Sequence, residues 1–162
     1  MSIAAQHLAQ QFRVAYGAAR MNLRGISPEE ALVVPDGRGS SANWITGHLV
    51  LMRGHVHELL GIVPVEGTDA LDAYARGSTA PSADHATDQS ALVRMWKASQ
   101  AAVDGAFETV TERHFEAPLE QSGPLLGETK GSALAFFAFH EAYHTGQLGL
   151  TRRRLGKDAV IT

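Results

Sequence analysis

The 162-residue chain contains no cysteine, and only 19% of its residues are charged. The first absence excludes a disulfide framework, a thiol nucleophile belonging to the protein, and any zinc or iron–sulfur site built on thiolates. His, Asp and Glu remain as metal ligands, and a cysteine-free chain is expected in the cytoplasm. Long apolar runs are missing too. The longest stretch without Asp, Glu, Lys or Arg, Gly39 to Met52, spans 14 residues, short of the roughly 18 a membrane span requires. Excess positive charge is also lacking: 14 Lys and Arg against 17 Asp and Glu leave a net charge of −3. That balance argues against nucleic acid as a partner, because duplex binding rests largely on neutralising phosphates. The basic run Arg152–Arg154 reads instead as a last helical turn complementing the helix dipole. Arg13, Arg20 and Arg24 precede the first acid, Glu29, a pattern superficially like an organellar transit segment. The stretch has no secretory apolar core and keeps a helical stripe, so it is expected to belong to the fold.

What is present is helical periodicity. Leu8, Phe12, Tyr16, Ala19 and Leu23 recur at helical spacing and predict a first long helix over residues 3–23. Ser27, Pro28, Glu29 and Glu30 carry a cap, a first-turn proline and dipole-favoured acids, predicting a short helix over 28–33 that Pro35 stops. Asp36–Gly39 reads as a turn. A second long helix, capped by Ser40 or Ser41, carries Trp44, His48, Leu51 or Met52, His55 and Leu59 and ends near Gly61. Residues 62–86 hold no sustained period and read as a long connection crossing the bundle, with a turn around Leu71–Tyr74. A third long helix over 88–111, an irregular link over 113–128 and a fourth long helix over 130–155, stopped by Gly156, complete the chain. Strand-like runs at 32–34 and 62–65 are too short to build a sheet core. The expectation is one all-α domain over 1–162, a four-helix bundle with a long crossover between its second and third helices.

Among the eight histidines, position separates ligands from bystanders. His140 and His144 stand four apart on the fourth long helix, so their imidazoles project from one face and can share a metal. Phe136, Phe137, Phe139 and Tyr143 flank them. The string His140-Glu141-Ala142-Tyr143-His144 also satisfies the HExxH pattern of zinc proteases. Its usual completions fail: no Glu follows Glu141, Gln147 occupies the metzincin glycine position, and no histidine lies downstream. Two ligands hold a metal weakly, so a third must come from elsewhere, and His48, mid-helix in an apolar stretch, is the best candidate. His55 lies on the same face but about 10.5 Å further along the axis, which suits a pocket wall better than a shared ion. His57 is expected to be exposed, and His7, His85 and His114 to be solvated or capping.

The combination resembles a known family. Trp44, His48 and Leu49 in the second long helix, followed by His140, His144, Gly146 and Gln147 near the end, are similar to the motifs of the DinB/YfiT-like metalloenzyme superfamily. The resemblance covers essentially the whole chain. It implies a four-helix bundle holding a divalent metal, often zinc or nickel, on His48, His140 and His144, with open positions for water or substrate. Trp44, Tyr143 and Gln147 become candidate pocket residues beside His55. Bundles of this type often form homodimers.

Three neutral imidazoles leave the metal its full charge, so it lowers the pKa of what it binds. If that is a small thiol, the expected reaction is S-transfer to an electrophilic small molecule, as in bacillithiol-, mycothiol- or glutathione-dependent relatives. If it is water, a hydrolase is expected, with Glu141 as candidate general base. A non-catalytic metal-binding bundle is the third reading. The expected partners are a small-molecule substrate and a small thiol, with neither nucleic acid nor membrane.

Overall fold

Four side chains, Ser2, Ser41, Asp88 and Thr129, each accept a hydrogen bond from the backbone N–H three residues on, and each starts a long helix. The computed structural model describes residues 2–161. In chain order its helices are α1 (Ile3–Leu23), α2 (Pro28–Leu32), α3 (Ala42–Leu60), α4 (Gln89–Thr109), α5 (Glu112–Glu116) and α6 (Lys130–Arg154). The long helices close a ring in which α1 packs on α4 and α6, and α3 packs on the same two. Their ends lie within two residues of those read from the sequence, because caps and stops are local signals. Gly61 and Gly156, at φ +71° and +77°, take the left-handed conformation that ends α3 and α6. No helix among the described residues is long and apolar enough to cross a membrane.

The buried faces differ in instructive ways from the simple stripes. In α1 the deepest line is Ala5, Ala9, Phe12, Ala15 and Ala19, while Leu8, Tyr16 and Leu23 are only half-buried at its margin. Small side chains on that line allow close approach of neighbouring helices. In α3 every residue from Ala42 to Val50 is buried, as expected of a helix with no charge on any face. That segment lies inside the charge-free run Gly39–Met52.

The crossover between α3 and α4 is pinned rather than loose. Tyr74, in a 3₁₀ turn at Asp72–Tyr74, is 1% exposed. Its hydroxyl donates to Asn43 Oδ1 at 2.9 Å and accepts from the Thr87 N–H at 2.8 Å. The ring lies so close to α3 that a Cβ at position 47 would run into it, which is why Gly47 stands there.

One expectation needs correction. The link read as irregular over 113–128 contains α5 and an antiparallel hairpin, β1 (Pro118–Gly123) with β2 (Gly127–Thr129), in which Pro118 faces Thr129. Pro, Gly and polar residues hide so short a pairing from a periodicity argument. The architecture remains an all-α bundle with this small sheet appended.

Candidate metal centre

His48 comes from the fully buried half of α3, and His140 and His144 come from successive turns of α6, which packs against it. Their Nε2 atoms converge: His140 Nε2 lies 3.2 Å from that of His48 and 3.1 Å from that of His144. Nitrogens held about 2.1 Å from one ion stand about 3.0–3.4 Å apart in octahedral or tetrahedral arrangements. These three imidazoles therefore fit a shared divalent metal, and together they form the cluster of candidate ligands among the described residues.

The ring orientations support the same conclusion. His48 Nδ1 sits 2.8 Å from the Tyr74 carbonyl, which can only accept, so Nδ1 carries the proton and Nε2 presents a lone pair. His144 Nδ1 donates to Gln147 Oε1 at 2.6 Å, leaving its Nε2 in the same state. Two lone pairs thus aim at one point beside His140 Nε2. A single ring proton on His140 could satisfy only one of them, and its Nδ1 is buried with no hydrogen-bond partner. A cation is the species that accepts all three lone pairs.

Electrostatics hold the rings neutral, as ligation requires. Burial, followed by the imidazoles of His144 and His48 and the Arg76 guanidinium, pushes His140 down to about 3. Burial and His48 lower His144 to about 4, against the hydrogen bond to Gln147. Burial also lowers His48, opposed by the Tyr74 carbonyl. Trp44, one turn before His48, lies flat on its ring at 4.9 Å and an 8° tilt, with its indole N–H donated to Ser78 Oγ at 2.9 Å.

The remaining residues expected near the site divide. Gln147 orients His144, and its amide donates to the Tyr143 hydroxyl at 3.3 Å. Tyr143 is exposed and meets the His144 ring edge-on. His55 stays outside the ligand cluster, stacked on Phe137 with ring centres 5.8 Å apart. Together they flank a groove of about 660 Å³ between α3, α6 and the hairpin. Phe137 also meets the His140 ring, so the groove shares a wall with the histidines.

Glu141 corrects an expectation. Its carboxylate is fully buried and bound by both Arg53 Nε and Nη2, the latter at 3.0 Å. Burial pushes this carboxyl up and Arg53 opposes the rise. One residue beyond His140 means a rotation of about 100° around the helix, enough to carry the side chain from the metal-facing edge into the bundle interior. His57 is a second correction. Expected to be exposed, it is 1% exposed, with Nε2 2.7 Å from Ser99 Oγ and Nδ1 3.0 Å from the Val63 carbonyl. Neighbours on several sides bury α3, so leaving the His48 stripe does not mean reaching water. His114 binds the Leu59 carbonyl near the end of α3 at 2.7 Å, as a capping histidine does, while His85 and His7 are exposed.

Sequence reasoning missed Tyr74 and Arg53. Nothing local marks Tyr74 as the orienter of His48. Arg53 carried a signal, being the first charge after the charge-free run on a helix otherwise read as core.

Comparison with known proteins agrees with this fold. The family model of the DinB superfamily matches residues 11–148. Among solved structures, YfiT from Bacillus subtilis, described as a probable metal-dependent hydrolase with an unusual four-helix bundle topology, is similar in fold. The TM-score is 0.70 at 14% identity, covering 98% of this chain and 91% of that one. No curated protein matches the chain.

Proposed function

Because the chain belongs to the DinB superfamily, we propose that it is a metal-dependent enzyme joining a low-molecular-weight thiol to an electrophilic small molecule. The observation that carries this reading is the convergence of three Nε2 atoms, two with lone-pair direction set by Tyr74 and Gln147. A divalent ion, zinc or nickel, held by His48, His140 and His144 supplies Lewis acidity that lowers the pKa of a bound thiol or water.

The surrounding residues favour the thiol. Glu141 is committed to Arg53, and no carboxylate joins the histidine cluster among the described residues. A site without a protein base suits a nucleophile that ionises readily. A thiol starts near pKa 8.5 and water near 15.7, so the thiol needs much the smaller shift. The chain has no cysteine, so that thiol must arrive from solution. The groove beside Phe137, floored by Leu59, Leu126 and Ala133, offers apolar surface to the electrophile, and Trp44 shields one face of His48.

Hydrolysis is the second reading, favoured by the description of YfiT and by the ability of neutral-ligand metal sites to ionise water. The test has two stages. Metal analysis of untagged protein should give one divalent ion per chain, lost in His48→Ala; unchanged stoichiometry overturns the three-histidine site. Turnover of monochlorobimane with glutathione, bacillithiol or mycothiol, compared with ester and amide substrates without thiol, then decides. Metal-dependent turnover that requires thiol supports the transferase, and thiol-independent turnover replaces it with the hydrolase.

A further inference from the structure

Gln147 has a second environment. Besides accepting from His144 Nδ1, it lines a small pocket of about 70 Å³ together with Arg38, Gly39, Ser40, Thr151 and Arg154. Two arginines line it from distant parts of the chain. Arg38 follows the 3₁₀ turn Pro35–Gly37, and Arg154 ends α6. Thr151 Oγ1, 3.5 Å from the Ser40 carbonyl, draws the loop onto the helix. Gly39, at φ +84°, turns the backbone there.

Neither arginine forms an ion pair with a described residue. The ordinary explanation for Arg154 is complementarity to the helix dipole. Its neighbour Arg152 shows what a committed arginine does in that turn: it donates to the carbonyls of Asn22, Arg24 and Asp158. Arg154 instead makes no side-chain hydrogen bond or ion pair with a described residue, and it shares the lining of the pocket with a second arginine, Arg38. Two like charges on one small cavity repel each other unless an anion lies between them, and guanidinium forks match carboxylate and phosphate geometry. The chain as a whole is acidic, so this local excess of positive charge runs against its composition.

We propose that this pocket is an oxyanion subsite, binding the carboxylate or phosphate of the small molecule whose reacting group is presented to the three histidines. Arg38 and Arg154 are its donors, and Gln147 is the side chain common to both places. The identity of that molecule as substrate rests on the function proposed above; the binding of the anion does not.

The test is a titration of ¹⁵N-labelled protein with inorganic phosphate, and separately with acetate, at constant ionic strength, following the Gln147 side-chain amide and arginine Nε–H resonances. Saturable shifts are expected in wild type. They should weaken tenfold or more in the double variant Arg38→Ala/Arg154→Ala and persist in Arg153→Ala, a control from the same exposed turn. Both altered side chains are exposed, and an unchanged melting curve of the double variant shows that its fold is intact. A linear, unsaturable response in wild type, an equal response in the double variant, or a loss in Arg153→Ala overturns the subsite. Response to acetate as well as phosphate assigns a general oxyanion site; response to phosphate alone narrows it to phosphate. Metal analysis of the same samples separates the two readings. Saturable phosphate binding by a protein that holds no metal keeps the subsite and removes the metal enzyme, whereas metal without phosphate binding does the reverse.

Discussion

His140 and Glu141 are adjacent in sequence and lie in two polar regions of opposite character. Both regions join α3 to α6. In one, Glu141 meets Arg53, whose Nη2 also donates to Gln100 Oε1 at 2.7 Å, and the network continues through Gln100 to Asp104 and Arg13. It links all four long helices, its carboxylates and amide are paired, and Arg53 Nη1 is its one buried donor without a partner among the described residues. In the other, three imidazoles face one another with lone pairs and no matching proton supply. Buried polar groups are normally satisfied. The cluster that pairs donors with acceptors is explained by the bundle itself, whereas the one that sets lone pairs against one another calls for a ligand. Polarity and burial alone do not distinguish them; the hydrogen-bond accounting does.

The largest expected effect strikes the paired region. Arg53→Ala leaves Glu141 as an uncompensated buried charge and should destabilise the fold by about 3–5 kcal/mol, read from urea melts of the metal-free protein. Replacing both partners, as Arg53→Met with Glu141→Leu, should recover most of that loss. If the double variant is no more stable than the single one, the pair does more than satisfy itself and the contrast fails.

Gly47→Ala should cost about 1–3 kcal/mol by overpacking against the Tyr74 ring. Because the Tyr74 carbonyl orients His48, metal affinity should fall in the same variant. Stability lost with affinity unchanged would separate Tyr74 from the metal site.

Gln147→Leu keeps the volume and removes the acceptor on His144. Metal affinity, measured by competition with a chelator, should drop about 10–100-fold, with little change in the stability of the metal-free protein. The reverse pattern would place Gln147 among the structural groups.

The smallest effect is a pH slope. An unperturbed imidazole titrates near 6.5, while His140 is held to about 3 and His144 to about 4 in the folded chain. Between those values the unfolded chain binds more protons, so their contribution is fully present above about pH 6.5 and is lost as pH falls through the folded pKa values. Melts of metal-free protein from neutral pH down to about 4 should show this decline, and His140→Ala should flatten it. Equal slopes in the two proteins would contradict the neutral, desolvated state of the cluster.

Much of this was legible beforehand, for local reasons. The first long helix was legible from the spacing of Leu8, Phe12, Tyr16, Ala19 and Leu23, and the second from Ser41 and Gly61, which act on their own neighbours. The pairing of His140 with His144 follows from helical spacing, and the apolar run around His48 marked it as inward-facing. The hairpin was hidden because its strands lack a repeating pattern. His57 was misplaced because one apolar stripe cannot reveal how many sides of α3 are covered. Glu141 was misassigned because proximity along the chain does not specify direction around a helix.

By itself, the sequence determined the helices, the absence of a protein thiol and the ligand types, all properties of composition or of contacts within a few residues. Only the tertiary structure decided what those ligands face. The Tyr74 carbonyl that orients His48 lies 26 residues away, the His48–His140 approach spans 92, and the arginine that removes Glu141 from the site lies 88 residues from it. Lone-pair direction and charge satisfaction are relations between distant segments, fixed when packing closes the bundle.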